Sequence, residues 1–216
     1  MIDVHIIPTV GFEQNYADMV AQLEAHPKII VQTGEFIQDN LLEARWLAYN
    51  KGTAPYVSWV DGDDAILDLS WVDRALGILD RNPHVSCVYP RWRTLREDGV
   101  IKESPIHVWS PEHHSHFTYA PLPHHLSIMR RENVLELLKL ARENVSGMIK
   151  NPERYVLSGL IRYGQLLSFN DMAYEWRLRD GTARSKEDPA DVIKWVRHQA
   201  SIDSRIAKSF VMKDLV

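Results

Sequence analysis

Four strand-length apolar segments alternate with helix-period segments through the first ninety residues, and this alternation constrains the fold more than any other feature of the chain. Residues 3–9 read as a buried strand halted by Pro8. Residues 16–25 carry Met19, Val20 and Leu23 at helical spacing, and residues 28–31 form a second apolar run closed by Thr33 and Gly34. Residues 41–49 are rich in Leu, Ala, Glu and Arg, which favours a helix, with Gly52 beyond as its stop. The β-branched and aromatic residues 56–60 run directly into Asp61-Gly62-Asp63-Asp64. Ser70 is the expected N-cap of the next helix, with Asp73 three residues on and Leu76 and Leu79 on one face. Residues 85–89 form the fourth strand. Such a pattern predicts an α/β fold: a mixed, mostly parallel sheet flanked by helices, with right-handed crossovers and ligands at the carboxyl ends of the strands.

Beyond residue 90 the pattern changes. Residues 91–102 suggest two strands about a turn at Asp98-Gly99. Residues 105–123 contain four prolines and read as a long loop of the kind that serves as a lid; extended to 125, the segment holds six of the ten histidines. A strand over 126–129 and a helix over 132–144 follow, then a helix after Pro152, an extended stretch at 165–169, and a long helix opened by Asp188-Pro189. With 216 residues and 45% hydrophobic content, the chain suits one globular domain. We divide it into a donor-binding half (1–90), an acceptor half (91–187) and a C-terminal helix (188–216). One cysteine, Cys87, cannot form an internal disulfide, and no apolar run approaches the roughly 20 residues needed to span a bilayer. No signal peptide is visible, so the expectation is a soluble cytoplasmic protein without a membrane partner. Net charge is −4, but residues 126–216 sum to +4, which fits a phosphate-bearing partner on that side.

Three carboxylates within four residues repel one another unless a cation or partner neutralises them. Hard oxygen ligands at a strand end suit Mg²⁺ or Mn²⁺, completed by water and substrate phosphates. An EF-hand is excluded, because counting from Asp61 places Ile66 and Val72 where glycine and glutamate are required. A phosphatase-type nucleophile fits poorly, since the acidic run follows the third strand rather than the first.

Taken in order, Ile6-Ile7-Pro8-Thr9, Ala48-Tyr49-Asn50-Lys51-Gly52 and Tyr56-Val57-Ser58-Trp59-Val60-Asp61-Gly62-Asp63-Asp64 resemble the nucleotide-sugar half of family 2, GT-A-fold glycosyltransferases. Residues 174–185, beginning Tyr174-Glu175-Trp176-Arg177-Leu178-Arg179, resemble the family's Tyr-x-x-Arg-x-His…Ser segment. The resemblance implies a GT-A, Rossmann-like fold and a hexosyl- or pentosyltransferase using a nucleoside diphosphate sugar, a UDP-sugar by default, with Mn²⁺ or Mg²⁺. Carried over, it places Pro8 and Thr9 at the nucleoside and Asp61 at the ribose or diphosphate. Asp61 and Asp63 would then be metal ligands, and Arg177 and Arg179 would lie at the diphosphate.

Several positions depart from the family's pattern. Gln32 stands where the family has acidic residues ending its second strand, and its amide would meet a base edge. Tyr49 stands where arginine often precedes Asn50; Arg45, four residues earlier on the same helical face, would replace it in donor binding beside Asn50. Arg154 occupies the aspartate position of the family's general-base motif, so the adjacent Glu153 becomes the candidate base for an inverting transfer. A retaining route needs no such base, and both remain open. Either His124 or His125 is expected at the site, and we assign His125 as third metal ligand and alternative catalytic residue. The acceptor would be a saccharide-like hydroxyl or a hydroxymethylated pyrimidine in DNA, the substrate of small, often phage-encoded enzymes of this type; Arg91, Arg93, Arg130 and Arg131 are compatible with the latter. A non-catalytic sugar-nucleotide or glycan-binding module on the same fold is the alternative function.

Overall fold

In the computed structural model, which describes residues 1–9, 11–35, 41–104, 123–144, 156–157 and 159–178, the first strand is buried along its whole length. The alternation read from the sequence is realised as β1 (Ile2–Ile7), α1 (Glu13–Glu24), β2 (Ile29–Thr33), α2 (Leu41–Tyr49) and β3 (Tyr56–Asp61). There follow β4 (Ala65–Ile66), α3 (Val72–Arg81), β5 (Val85–Arg96), β6 (Ile101–Glu103), β7 (Ile128–Arg130), α4 (Arg131–Asn144), a 3-10 turn (Leu160–Tyr163) and β8 (Gln165–Leu178). The eight strands form one sheet in the order β2-β1-β3-β7-β5-β8-β4, with β6 paired to β5. β2 and β3 lie parallel to β1, and β7 is inserted antiparallel between β3 and β5. β8 is parallel to β5, whereas β4 and β6 are antiparallel to their partners. Five of the eight strands, β1, β2, β3, β5 and β8, therefore run the same way, a mixed and mostly parallel sheet.

Two-residue alternation assigns the side chains to two cores. Ile2, Val4 and Ile6 pack with Met19 and Leu23 of α1 and Leu76 and Leu79 of α3. On the other face Val57, Trp59, Cys87 and Met129 pack with Leu42 and Tyr49 of α2 and Leu137 and Leu138 of α4. With both faces covered, the central strands need near-continuous apolar sequence. Asp3 and His5 are the exceptions on β1, both fully buried on the α2/α4 face. Asp3 accepts hydrogen bonds from the Ala54 N–H (2.9 Å) and the Gln32 amide (3.2 Å) and pairs with Arg131. A side chain at residue 52 would collide with the Asp3 carboxylate, and Gly52 has φ +79°, so glycine is required there on both counts.

The sequence ended the fourth strand at Tyr89, before Pro90, but β5 continues to Arg96. A register shift between Tyr89 and Arg91 accommodates the missing proline N–H, a device known from β-bulges. Opposite it, β8 joins residues 165–169 to 174–178 through the polar Asn170 and Asp171, whose side chains meet Arg91 and Arg74. Ser70 is not a helix cap: its N–H and hydroxyl both donate to Asp68 (2.8 Å each), and α3 starts two residues later. Glu153, Arg154, Arg179, most of the 105–123 loop and the helix expected from Asp188 lie outside the described residues. Among those described, no helix is long and apolar enough to cross a membrane.

His5 makes an edge contact with Tyr49 at 4.7 Å, and neither ring nitrogen has a hydrogen-bond partner among the described residues. Burial, reinforced by the charges of Arg131, Arg45 and Lys51, pushes its pKa down to about 3. Between that value and the ordinary value near 6.5, the unfolded chain takes up a proton that the folded chain refuses. Stability therefore falls as pH drops through this window, by at most about 1.4 kcal/mol per pH unit. His5→Phe keeps an aromatic contact and removes the proton site, so the loss of melting temperature from pH 7 to pH 4.5 should be smaller than in the parent. An unchanged acid slope would place the acid-sensitive group elsewhere.

Candidate functional site

The carboxyl ends of β1 and β3 are level, with Ile7 opposite Asp61. The acidic turn folds back onto that edge because residue 62 is glycine. Its N–H donates to the Ile7 carbonyl (3.1 Å), and a Cβ there would lie 2.9 Å from that oxygen and 3.2 Å from Pro8 Cα. The Asp64 N–H donates to the Asp61 carbonyl (3.2 Å), a single turn that returns Asp64 to the side of Asp61. Asp63 faces β1 instead, and its carboxylate accepts from the Thr9 hydroxyl at 3.3 Å. β4 then pairs with β8, setting Ile66 opposite Tyr174 and bringing that strand to the site.

Asp61 is held on both oxygens. Arg45 Nη2 donates to Oδ1 at 3.0 Å and His125 Nε2 to Oδ2 at 2.9 Å. Tyr174, fully buried, joins the group from β8: its hydroxyl donates to Asp64 Oδ2 (2.6 Å) and accepts from the Asp61 N–H (3.1 Å). Its ring stacks on His125, with centroids 5.0 Å apart and planes 15° from parallel. The Arg177 main-chain N–H donates to the other oxygen of Asp64 at 2.9 Å. His125 is aimed by a constrained turn in which Leu126 adopts φ +63°, a conformation that costs a branched residue energy and recurs at functional sites. The Leu126 N–H bonds the Trp59 carbonyl (2.9 Å), and the Ser127 hydroxyl donates to the His124 carbonyl. With Nε2–H on Asp61, a neutral His125 accepts at Nδ1 from His124 Nδ1–H, 2.6 Å away.

The two carboxylates differ electrostatically. Burial opposes charge on Asp61, but His125 and Arg45 outweigh it and hold the carboxyl well below the usual range. Asp64 is pushed up to about 7, first by burial and then by the charge on Asp61, against the lowering effect of His125, Tyr174 and the Arg177 amide. One donor atom from each of Asp61, Asp64 and His125 lies within 4.8 Å of the others. Two hard oxygens and an imidazole, one carboxylate being short of positive charge, are a donor set that fits Mn²⁺ or Mg²⁺.

Of the residues expected from the sequence, Asp61, His125 and Arg45 meet, as do Thr9 and Asp63 at the edge that Pro8 begins. The place beside Asp61 and His125 belongs to Asp64, not Asp63. Gln32 directs its amide nitrogen to Asp3, and Asn50 closes the end of α2 on the Trp46 carbonyl (2.7 Å). The Arg177 guanidinium turns to Glu175 (2.9 Å) while its main chain touches the cluster. Arg130 and Arg131 bind main-chain carbonyls at the sheet–helix junction and so are structural, contrary to the acceptor-facing reading. Two further residues of the cluster, Asp64 and Tyr174, are not among those the sequence pattern singles out: the i, i+3 return of a tight turn is the signal for the former, and Tyr174 stands in the sequence as no more than the start of a motif.

No family model matches the sequence, and no curated protein does. Among solved structures, the chain is similar to S. aureus TarS 1–349 in complex with UDP-GlcNAc, with a TM-score of 0.63 and 15% identity. That match covers 94% of this chain and 66% of the other. It is also similar to S. aureus TarS, with a TM-score of 0.55 and 13% identity over 98% of this chain and 43% of that one. The chain thus spans less than two thirds of the length of these proteins. At such identity the likeness bears on the fold, which is the GT-A arrangement.

Tyr174→Phe keeps the ring against His125 and removes the hydroxyl shared by Asp61 and Asp64. Losing a buried hydrogen bond to a carboxylate should cost about 1–3 kcal/mol, read from the urea midpoint at unchanged m-value. An unaltered midpoint would mean that the hydroxyl does not organise the pair.

Proposed function

We propose that this chain is a metal-dependent glycosyltransferase, moving a sugar from a nucleoside diphosphate donor, a UDP-sugar by default, to a hydroxyl acceptor. The observation that carries the reading is the meeting of Asp61, Asp64 and His125 at the carboxyl ends of β1 and β3. It is supported by the fold's similarity to a UDP-GlcNAc-bound protein. Asp61, Asp64 and His125 would hold Mn²⁺ or Mg²⁺, with Asp63 offering a further carboxylate from the Thr9 side. When bound, such a cation offsets charge on the departing diphosphate.

The other roles belong to the chain itself. Pro8 and Thr9 would line the nucleoside end, where Gln32 and Asn50, engaged by Asp3 and the Trp46 carbonyl, would shape the wall rather than bind, and Arg45 would orient Asp61 from beneath. Arg177 and Arg179 would approach the diphosphate with N–H groups that favour its developing charge. In an inverting transfer Glu153 would take the acceptor proton, with His125 as the alternative. Residues 1–90 would then serve the donor and 91–187 the acceptor, either a hydroxymethylated pyrimidine in DNA or a saccharide-like hydroxyl, in a cytoplasmic setting.

A second reading, a non-catalytic sugar-nucleotide-binding module, is favoured by one observation: both Asp61 oxygens already face donors within the protein, the Arg45 guanidinium and the His125 ring nitrogen. Calorimetry with UDP separates the readings in part. Mn²⁺ should strengthen UDP binding about tenfold or more, and Asp64→Asn should abolish that coupling while the protein still melts cooperatively. Affinity indifferent to metal would remove the metal from the reading. Glu153→Gln should leave UDP affinity intact and lower transfer by ~10²–10⁴-fold. Mn²⁺-dependent UDP binding with neither transfer nor slow donor hydrolysis would favour the module.

A further inference from the structure

Beyond the metal cluster, β5 and β8 carry a second polar group on the opposite face of the strands from Tyr174. Glu175, 4% exposed, lies directly across from Arg93 in the parallel register. Arg93 donates to Glu175 Oε2 through Nε (2.8 Å) and Nη2 (2.6 Å), and Arg177, two residues along the strand, donates through Nε to Oε1 (2.9 Å). Both guanidinium groups thus face one buried carboxylate, leaving an excess positive charge. Their side chains remain about one third exposed, at 32% and 29%. Among the described residues, Nη1 of Arg93 and both Nη groups of Arg177 have no hydrogen-bond partner. The neighbouring Arg91 differs, being matched by the Ser104 carbonyl, Asn170 and Glu103. Glu103, opposite Arg93 on β6, is therefore already engaged.

Two guanidinium groups fixed by a buried carboxylate, with N–H edges left over, are preorganised for phosphate oxygens, which match that planar fork. The sheet order indicates whose phosphate it is. Pro8, Thr9 and Gln32 lie at β1 and β2, the cluster ends β3, and Arg93 lies past β7 on β5. Arg177 stands at the junction, its main chain on Asp64. We propose that Arg93, oriented by Glu175 and flanked by Arg177, forms a second phosphate subsite that receives a phosphodiester group of the acceptor. The assignment of this group to the acceptor rests on the donor reading given above.

The test measures two affinities on the full chain: a fluorescent single-stranded oligodeoxynucleotide across a salt series, and UDP with Mn²⁺. Arg93→Gln should weaken oligonucleotide binding about tenfold at low salt. It should also make the slope of log K against log salt shallower by about 0.7, the loss of one phosphate contact on a single strand. Arg93→Lys, which retains the charge opposite Glu175 but not the planar fork, should recover the slope while binding the oligonucleotide more weakly than the parent, and this loss keeps the test readable should Arg93→Gln not fold. UDP affinity should stay within twofold in both. An equal loss of UDP affinity would give the phosphate to the donor and overturn the acceptor assignment. An unchanged slope in Arg93→Gln, or no oligonucleotide binding by the parent, would overturn the subsite itself. Absence of UDP binding by the parent would count against the donor reading alone, because the salt series is read independently of it.

Discussion

A carboxylate with no access to solvent, Asp3, is the interaction on which the rest of this structure hangs. It sits on the central strand and gathers the end of β2 through Gln32, the turn after α2 through the Ala54 amide, and the start of α4 through Arg131. Arg131 in turn binds the carbonyls of Tyr49, Lys51 and Ala54, closing the end of α2. A buried ion pair adds little over a well-packed apolar substitute, but removing one partner alone costs about 3–5 kcal/mol. What the pair supplies here is position. It fixes the level at which α2 crosses the sheet, and Arg45, one helical turn before Tyr49, then reaches the end of β3.

From that placement follows the asymmetry of the two carboxylates. Asp61 receives an arginine from α2 and a histidine from the turn before β7, elements far apart in sequence that Asp3 and the Leu126 turn bring into range. Asp64, one turn later, receives among the described residues only a hydroxyl and a main-chain amide. One carboxylate is thus satisfied by the protein, while the other is held in place by neutral donors, which fix its direction without cancelling its charge. Geometry set before any ligand arrives is the condition under which electrostatic stabilisation is most effective.

Much of this was legible in the chain. Alternating apolar segments specified β1, β2, β3 and the first half of β5, because a buried strand has few other ways to be written, while the two-residue β4 left no such mark. The acidic run after β3 pointed to the candidate site for a different reason: three carboxylates within four residues repel one another unless something neutralises them. What stayed hidden depended on contacts between distant residues. Gln32 and Asn50 have side chains suited to a ligand, and only the packing reveals that each has an internal partner. The choice between Asp63 and Asp64 turned on the path of one turn, set by Gly62 against Ile7. Continuation of β5 past Pro90 depended on the bulge opposite β8, a property of two strands together.

The antiparallel β7 has a consequence for how the chain acquires its shape. Three residues long, it is the seam between β3 and β5, which do not touch each other in the ladder. Everything through β6 can be synthesised while those two strands still present open edges, and the sheet becomes continuous only when residues 128–130 arrive. Such late, long-range closure slows folding and leaves β3 and β5 as templates for pairing between chains in the interval. A nascent or truncated chain ending before His125 would carry the acidic turn and Arg45 but neither His125 nor the seam. The step that joins the two halves of the sheet is therefore also the step that brings His125 to Asp61 and Asp64, coupling assembly of the cluster to closure of the fold.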